Sequence, residues 1–192
     1  MKIDHQQITR RLAVGGIAAA LLTLAIPSPV YAASSKADIE AKSRAALKAL
    51  YAANPKAAAV GKRAKGVMVF PNIIKGGLVI AGSSGDGALL VSGKPTRFFN
   101  TSSASIGLQA GAQGYGYALF FMTDQKMAET TNGTTWDAGS DGSVVLVDKG
   151  AEASLDTANL NKAVYAFVFD QKGLMAGISL KGSRIKEIHP KQ

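Results

Sequence analysis

Three aspartates close apolar runs, each with a lysine within two residues: Asp124 in FFMTDQK, Asp148 in VLVDKG and Asp170 in FVFDQKG. Strands ending side by side would gather these carboxylates into an oxygen-rich site for a hard cation such as calcium, the basis of a hydrolase reading. Otherwise each Asp opens a turn by bonding its own backbone, and its Lys lies in solvent. Nucleophilic chemistry has less to work with. The chain has no cysteine, and beyond residue 32 its one histidine is His189, three residues from the C-terminus. A Ser/His/Asp or Cys/His system would need that terminal imidazole as its base, and a zinc centre would lack ligands. The expectation is no catalytic residue, no resident metal and no cofactor.

Two glycine-rich stretches offer a different chemistry. GSSGDGALLV (82–91) and GAQGYGYALFF (111–121) share the spacing G-x-x-G-x-G and both run into apolar segments. Phosphate-binding loops place their glycines between a strand and a helix N-terminus, whose free N–H groups face the anion. Here both repeats enter strand-like runs, so nucleotide binding is not expected. Alternation along the second puts Gly114, Gly116, Ala118 and Phe120 on one side and Tyr115, Tyr117, Leu119 and Phe121 on the other. A face so bare marks the close approach of another backbone or a ligand. Packing of protein on that face is one outcome; an apolar groove for an acyl chain at Gly114, Gly116 and Ala118 is the other.

The charge sits in one place. The formal net charge is +9, and from 36 to 75 nine basic residues stand against Asp38 and Glu40 alone, whereas from 76 onward ten basic residues balance ten acidic ones. Residues 36–53 are almost all Ala, Leu, Lys, Arg and Glu, and Asn54-Pro55 supplies a cap and a first-turn proline for a second helix over 56–64. Ile39, Ala46, Leu47 and Leu50 share one stripe; Lys36, Glu40, Arg44 and Lys48 form an i,i+4 ladder on the other side. Such a helix either docks its stripe on the domain or seeks an anionic surface, where each basic residue contributes about 1 kcal/mol. Nucleic acid is not expected as a partner, because the N-terminus reads as an export signal. Lys2, Arg10 and Arg11 precede LAVGGIAAALLTLAI, and Val30-Tyr31-Ala32 forms a cleavage motif. The apolar run falls short of the ~20 residues of a membrane span. Paired arginines also resemble a twin-arginine signal, so the route is either that pathway or general secretion.

The elements that must position these residues follow from texture. Beyond Gly66, short apolar runs alternate with Gly, Pro, Asn and Asp, as in an antiparallel sheet. Strands are expected at 67–70, 78–81, 88–92, 96–100, 115–122, 143–147, 164–169, 174–180 and 184–188, with short helices at 124–131 and 155–162. Val69-Phe70 before Lys75-Gly76-Gly77-Leu78 is echoed by Val168-Phe169 before Lys172-Gly173-Leu174.

KGVMVFPNIIKGGLVIAGSSGDGALLV (65–91), FFNTSSASIGLQAGAQGYGYALFFMTD (98–124) and VYAFVFDQKGLMAGISLKGSRIKEI (164–188) closely resemble the SYLF domain family, which includes the Ysc84-like actin regulators and exported bacterial lipid-binding proteins. The resemblance implies binding of acidic lipid through a basic amphipathic N-terminal helix, here within 39–51, and through a basic cluster, here Lys62, Arg63 and Lys65. Actin enters only by analogy with fungal relatives.

The reading is thus an α+β protein: a signal peptide (1–32), a basic helical arm (33–66), and a β-rich core (67–192), the arm packed on a mainly antiparallel, twisted or barrel-like sheet. Its expected function is non-enzymatic binding of anionic phospholipid at a membrane surface, as a periplasmic or secreted protein. Headgroups would meet Lys42, Arg44 and Lys48 in the first helix, the Lys62, Arg63 and Lys65 cluster, and Lys75. Ile39, Leu47, Leu50 and Tyr51 would make the apolar contact. The alternative is an envelope structural or interaction module without lipid specificity, its arm or edge strands meeting another protein. Oligomeric state is left open.

Overall fold

A computed structural model describes residues 34–76, 80–106, 113–133, 135–147, 149–172 and 180–192. The signal segment, Asp148 and all but the last residue of the expected strand 174–180 lie outside them. Among these residues two helices come first, α1 (Lys36–Ala53) and α2 (Pro55–Arg63). Ser35 caps α1 by accepting the Asp38 N–H at 3.2 Å, and Asn54 caps α2 by accepting the Ala57 N–H at 2.8 Å with Pro55 in the first turn. Each cap satisfies a backbone donor that the first turn leaves without a helical partner.

Among the described residues the sheet has eight strands: β1 (Gly66–Gly76), β2 (Ile80–Val91), β3 (Lys94–Ile106), β4 (Gln113–Phe121), β5 (Trp136–Asp137), β6 (Val144–Val147), β7 (Val164–Lys172) and β8 (Arg184–Ile188), with α3 (Asp124–Asn132) and α4 (Lys149–Ser154) between them. Their order is β5-β8-β3-β2-β1-β4-β7-β6, antiparallel throughout except for parallel β6 and β7. The mixed sheet curls into a half-barrel, so the architecture is α+β with a helical arm on a twisted sheet. Its two edge strands are sequence neighbours, joined by residues 138–143. Asp141 ties that turn down, accepting from Trp136 Nε1 at 2.9 Å, from the Ser143 backbone and hydroxyl, and from Lys126 Nζ at 2.6 Å. Burial raises the Asp141 carboxyl, but these donors outweigh it and hold the group far below the ordinary carboxylate range.

Period-two alternation gives each sheet face its own core. Val67, Val69, Ala88, Leu90, Ala118, Phe120 and Phe167 pack with Ile39, Leu47, Leu50 and Val60 of the helices. Met68, Phe70, Leu89, Phe99, Tyr117, Leu119 and Ile185 build the opposite layer. The parity of β1 changes midway, because Pro71 and Asn72 fall within a register shift against both neighbours and Ile73 resumes the face of Phe70. Proline has no N–H for the ladder, which makes FPN a natural place for such an irregularity.

Several strands run longer than the sequence implies. Residues 80–81 of the strand expected at 78–81, whose first two residues lie outside the described ones, and 88–91 of the strand expected at 88–92 belong to one strand, β2, whose glycines carry the ladder through. Gly85 and Gly87 lie against β1, where a Cβ at Gly85 would run into Ile73 and the Asn72 carbonyl and one at Gly87 into the Phe70 ring and the Val69 carbonyl. The helix expected at 155–162 is irregular chain, and α4 stands just before it. Asp156 explains the difference: its carboxylate accepts from the Ala158 N–H at 2.8 Å and from Asn159 Nδ2 at 2.7 Å, a local turn that competes with a helix.

Candidate functional site

The aspartate cluster does not form. Phe121 of β4 pairs with Val164 of β7, and Gly114 with Lys172, so the two strands run opposite ways. Asp124 therefore follows β4 at one end of the sheet and Asp170 sits near the other end of β7. Among the described residues no three His, Cys, Asp or Glu side chains converge to hold a metal ion.

The bare face of β4 also resolves. A Cβ at Gly116 would run into the ring of Phe169, and Ala118 is fully buried beneath the helical arm. Gly114 alone is open, with Asn72 Oδ1 the nearest atom at 3.9 Å. Protein fills the face at two of the three positions, so no continuous acyl groove runs along Gly114, Gly116 and Ala118.

The apolar stripe of α1 is likewise taken up by the fold. Ile39 is 2% exposed, Leu50 4% and Leu47 8%, all in the core under the arm. Tyr51 is half-buried with its ring centroid 6.2 Å from that of Phe120, and its hydroxyl end lies against Gly61 of α2. These four residues face the sheet, not the surroundings. The reason is physical: the face of β1, β2, β4 and β7 is apolar and needs a cover, and the stripe supplies it.

What the arm presents outward is charge. Arg44 and Lys48 on α1 and Lys62 on α2 are exposed, with no hydrogen-bond or ion-pair partner among the described residues. Lys75 also has none there and is half-buried in β1. The remaining cations are engaged. Lys42 pairs with Asp38 at 2.7 Å, and Lys65 approaches Asp124 at 3.8 Å. Arg63 donates through Nη1 to the carbonyls of Thr157 (2.9 Å) and Ala158 (3.2 Å). Lys56 donates to those of Glu152 (2.6 Å) and Ala153 (3.0 Å). Through Lys56 and Arg63, α2 clamps the chain between β6 and β7. No spacing rule in the sequence signals that clamp, since its partners are backbone atoms more than 90 residues away.

Behind Arg63, between α2, the turn into α3 and the approach to β7, lies a cleft of about 370 Å³ lined also by Met122, Thr123, Leu160, Asn161 and Lys162. A second cleft of about 260 Å³ shares Asn161 and Lys162 with it and is walled by Val145, Val147, Leu155 and Tyr165. No helix among the described residues is long and apolar enough to cross a membrane.

A basic helical pair packed on a curled, eight-stranded mixed sheet, its cations turned outward, defines the class: an α+β half-barrel with a charged helical cover. Residues 102–190 match the model of the Ysc84 family, described as Las17-binding protein actin regulator. That match agrees with the resemblance of the sequence to the SYLF family. The match runs from the middle of β3 through β8 and leaves the helical arm outside it. No curated protein matches the chain.

Proposed function

We propose that this is an exported, non-enzymatic lipid-binding protein that attaches to anionic phospholipid through the outward face of its basic helical arm. The observation that carries the reading is the set of exposed cations, Arg44, Lys48 and Lys62, which have no partner among the described residues and stand on helices whose apolar side is already buried. Attachment in this form needs no undocking: the stripe stays on the sheet and the charges meet headgroups, each contributing about 1 kcal/mol near an anionic leaflet. The N-terminal signal-like sequence supports a periplasmic or secreted location, where phosphatidylglycerol and cardiolipin are suitable targets. Flotation of the full chain with phosphatidylglycerol-containing and pure phosphatidylcholine vesicles tests it. Binding to the first alone, lost on adding salt, is the expected result; no binding to anionic vesicles at low salt would end the proposal.

The description of the family as an actin regulator favours a second reading, in which the same cations dock on an acidic protein surface. Co-sedimentation with actin filaments in the same buffers separates the two.

A further inference from the structure

The two clefts that meet at Asn161 and Lys162 differ in chemistry. In the larger, Arg63 and Lys162 bring two cations to the wall, and no carboxylate among the described residues lines it. Arg63 uses Nη1 for the Thr157 and Ala158 carbonyls, leaving Nη2 and Nε without acceptors among the described residues, and the exposed Lys162 ammonium has none there either. That wall has donors in surplus. The smaller cleft is mostly apolar, lined by Val145 and Val147 of the edge strand β6, by Tyr165 beside Val145 on β7, and by Leu155. Asp156 at its rim already accepts from Ala158 and Asn159. The ridge between the clefts is fixed from below: the buried Tyr165 hydroxyl accepts from the Asn161 N–H at 3.1 Å and the Lys162 N–H at 3.2 Å. The Lys56 and Arg63 clamps fix the outer loop.

We infer that this pair of clefts is a binding site for a single phosphate-bearing amphiphile, its phosphate held by Arg63 and Lys162 and an acyl chain laid against Val145, Val147 and Leu155. A cationic wall beside an apolar one fits a molecule that is itself anionic at one end and apolar at the other, and each half alone fits a free anion or a plain hydrocarbon less completely. Neither Arg44 nor Lys48 lines either cleft. It rests on the lipid reading for its ligand class and adds where one molecule sits.

The test is a titration of the full chain, followed by amide NMR shifts, with dihexanoyl phosphatidylglycerol below its micelle threshold and separately with inorganic phosphate. The soluble lipid shifts Thr123, Leu155, Asn161, Lys162 and Tyr165 saturably, while phosphate shifts Thr123 and Lys162 alone and binds roughly tenfold or more weakly. Lys162→Gln, an exposed change that keeps the backbone bond to Tyr165, weakens both ligands roughly tenfold. Leu155→Ser weakens the lipid only. The inference is overturned if the soluble lipid gives no saturable shift in either cleft, or if Lys162→Gln leaves its affinity unchanged. Equal affinity for phosphate and lipid would also overturn it, since the site would then be one for free phosphate. Vesicle flotation of the same proteins keeps the two ideas separate: vesicle binding without cleft shifts refutes the cleft and leaves the helix-surface reading standing. Cleft shifts without vesicle binding do the reverse.

Discussion

Replacing Arg44, Lys48 and Lys62 together by Gln removes the three exposed cations of the arm that have no partner among the described residues, and with them the attraction that would hold the protein to an anionic leaflet. At about 1 kcal/mol each the loss is about 3 kcal/mol, or roughly a hundredfold in vesicle affinity. The fold should be indifferent, because all three side chains are exposed and none is paired with a described residue. The competing mechanism, insertion of the α1 stripe, has a different energy balance. Pulling Ile39, Leu47 and Leu50 off the sheet forfeits about 1.5–3 kcal/mol for each, which an equal burial in lipid only returns. The gain would again have to come from the charges. Ile39→Ala separates the two: it costs about 2–5 kcal/mol of stability on either account, but below the melting transition it changes vesicle affinity only if Ile39 enters the membrane. Flotation with phosphatidylglycerol vesicles in low salt, repeated at about 1 M where the screening length shrinks to ~3 Å, gives both numbers. A triple variant that binds like the parent, or binding that survives high salt, would refute the electrostatic mechanism. So would an Ile39→Ala protein that is folded but fails to bind.

Three further outcomes concern the scaffold. Asp141→Asn leaves Lys126 without its carboxylate and loosens the turn joining the sheet edges, so urea denaturation at pH 7 should show a loss of about 2–3 kcal/mol. Because this carboxyl is held below its ordinary value of 3.8, its stabilisation is present above that pH and fades as pH falls below it. The variant should accordingly have the flatter acid limb. Gly116→Val drives a side chain into the Phe169 ring and should cost about 1–3 kcal/mol in thermal melts, whereas Gly114→Ala, with nothing nearer than 3.9 Å, should change stability by less than about 0.5 kcal/mol. Tyr117→Phe strips the buried Thr101 hydroxyl of its 2.6 Å partner, an expected loss of about 1–2 kcal/mol. Burial first, tempered by that bond, pushes the Tyr117 phenol well above its ordinary 10.0, so the unfolded chain ionises more readily. Stability should fall as pH rises past about 10, and absorbance should show Tyr117 ionising only with unfolding.

Much of this protein is legible in one dimension. Ser35 and Asn54-Pro55 mark the starts of α1 and α2; the alternation in GYGYALFF assigns Tyr117 and Phe120 to opposite faces; Thr123 and Asp124 announce α3. These are local matters, decided by caps, turn chemistry and a period of two, and the chain carries them wherever it folds. The concentration of positive charge before Gly76 is equally a property of the sequence.

Tertiary structure decided what those features are used for. Whether the Ile39, Leu47 and Leu50 stripe meets lipid or protein depends on whether an apolar sheet face elsewhere in the chain lacks a cover, and here β1, β2, β4 and β7 provide one. Arg63 reads in sequence as one of a basic trio, but carbonyls at Thr157 and Ala158 claim part of its guanidinium and set it beside Lys162. The antiparallel pairing of β4 with β7 sends Asp124 and Asp170 to opposite ends, although their local sequences are nearly alike. Contacts between residues about a hundred positions apart follow from strand order and register, and no spacing along the chain encodes them singly. Composition and spacing settle that the arm is basic and amphipathic; only the packed sheet decides that its apolar side is spent and its charges are left to act.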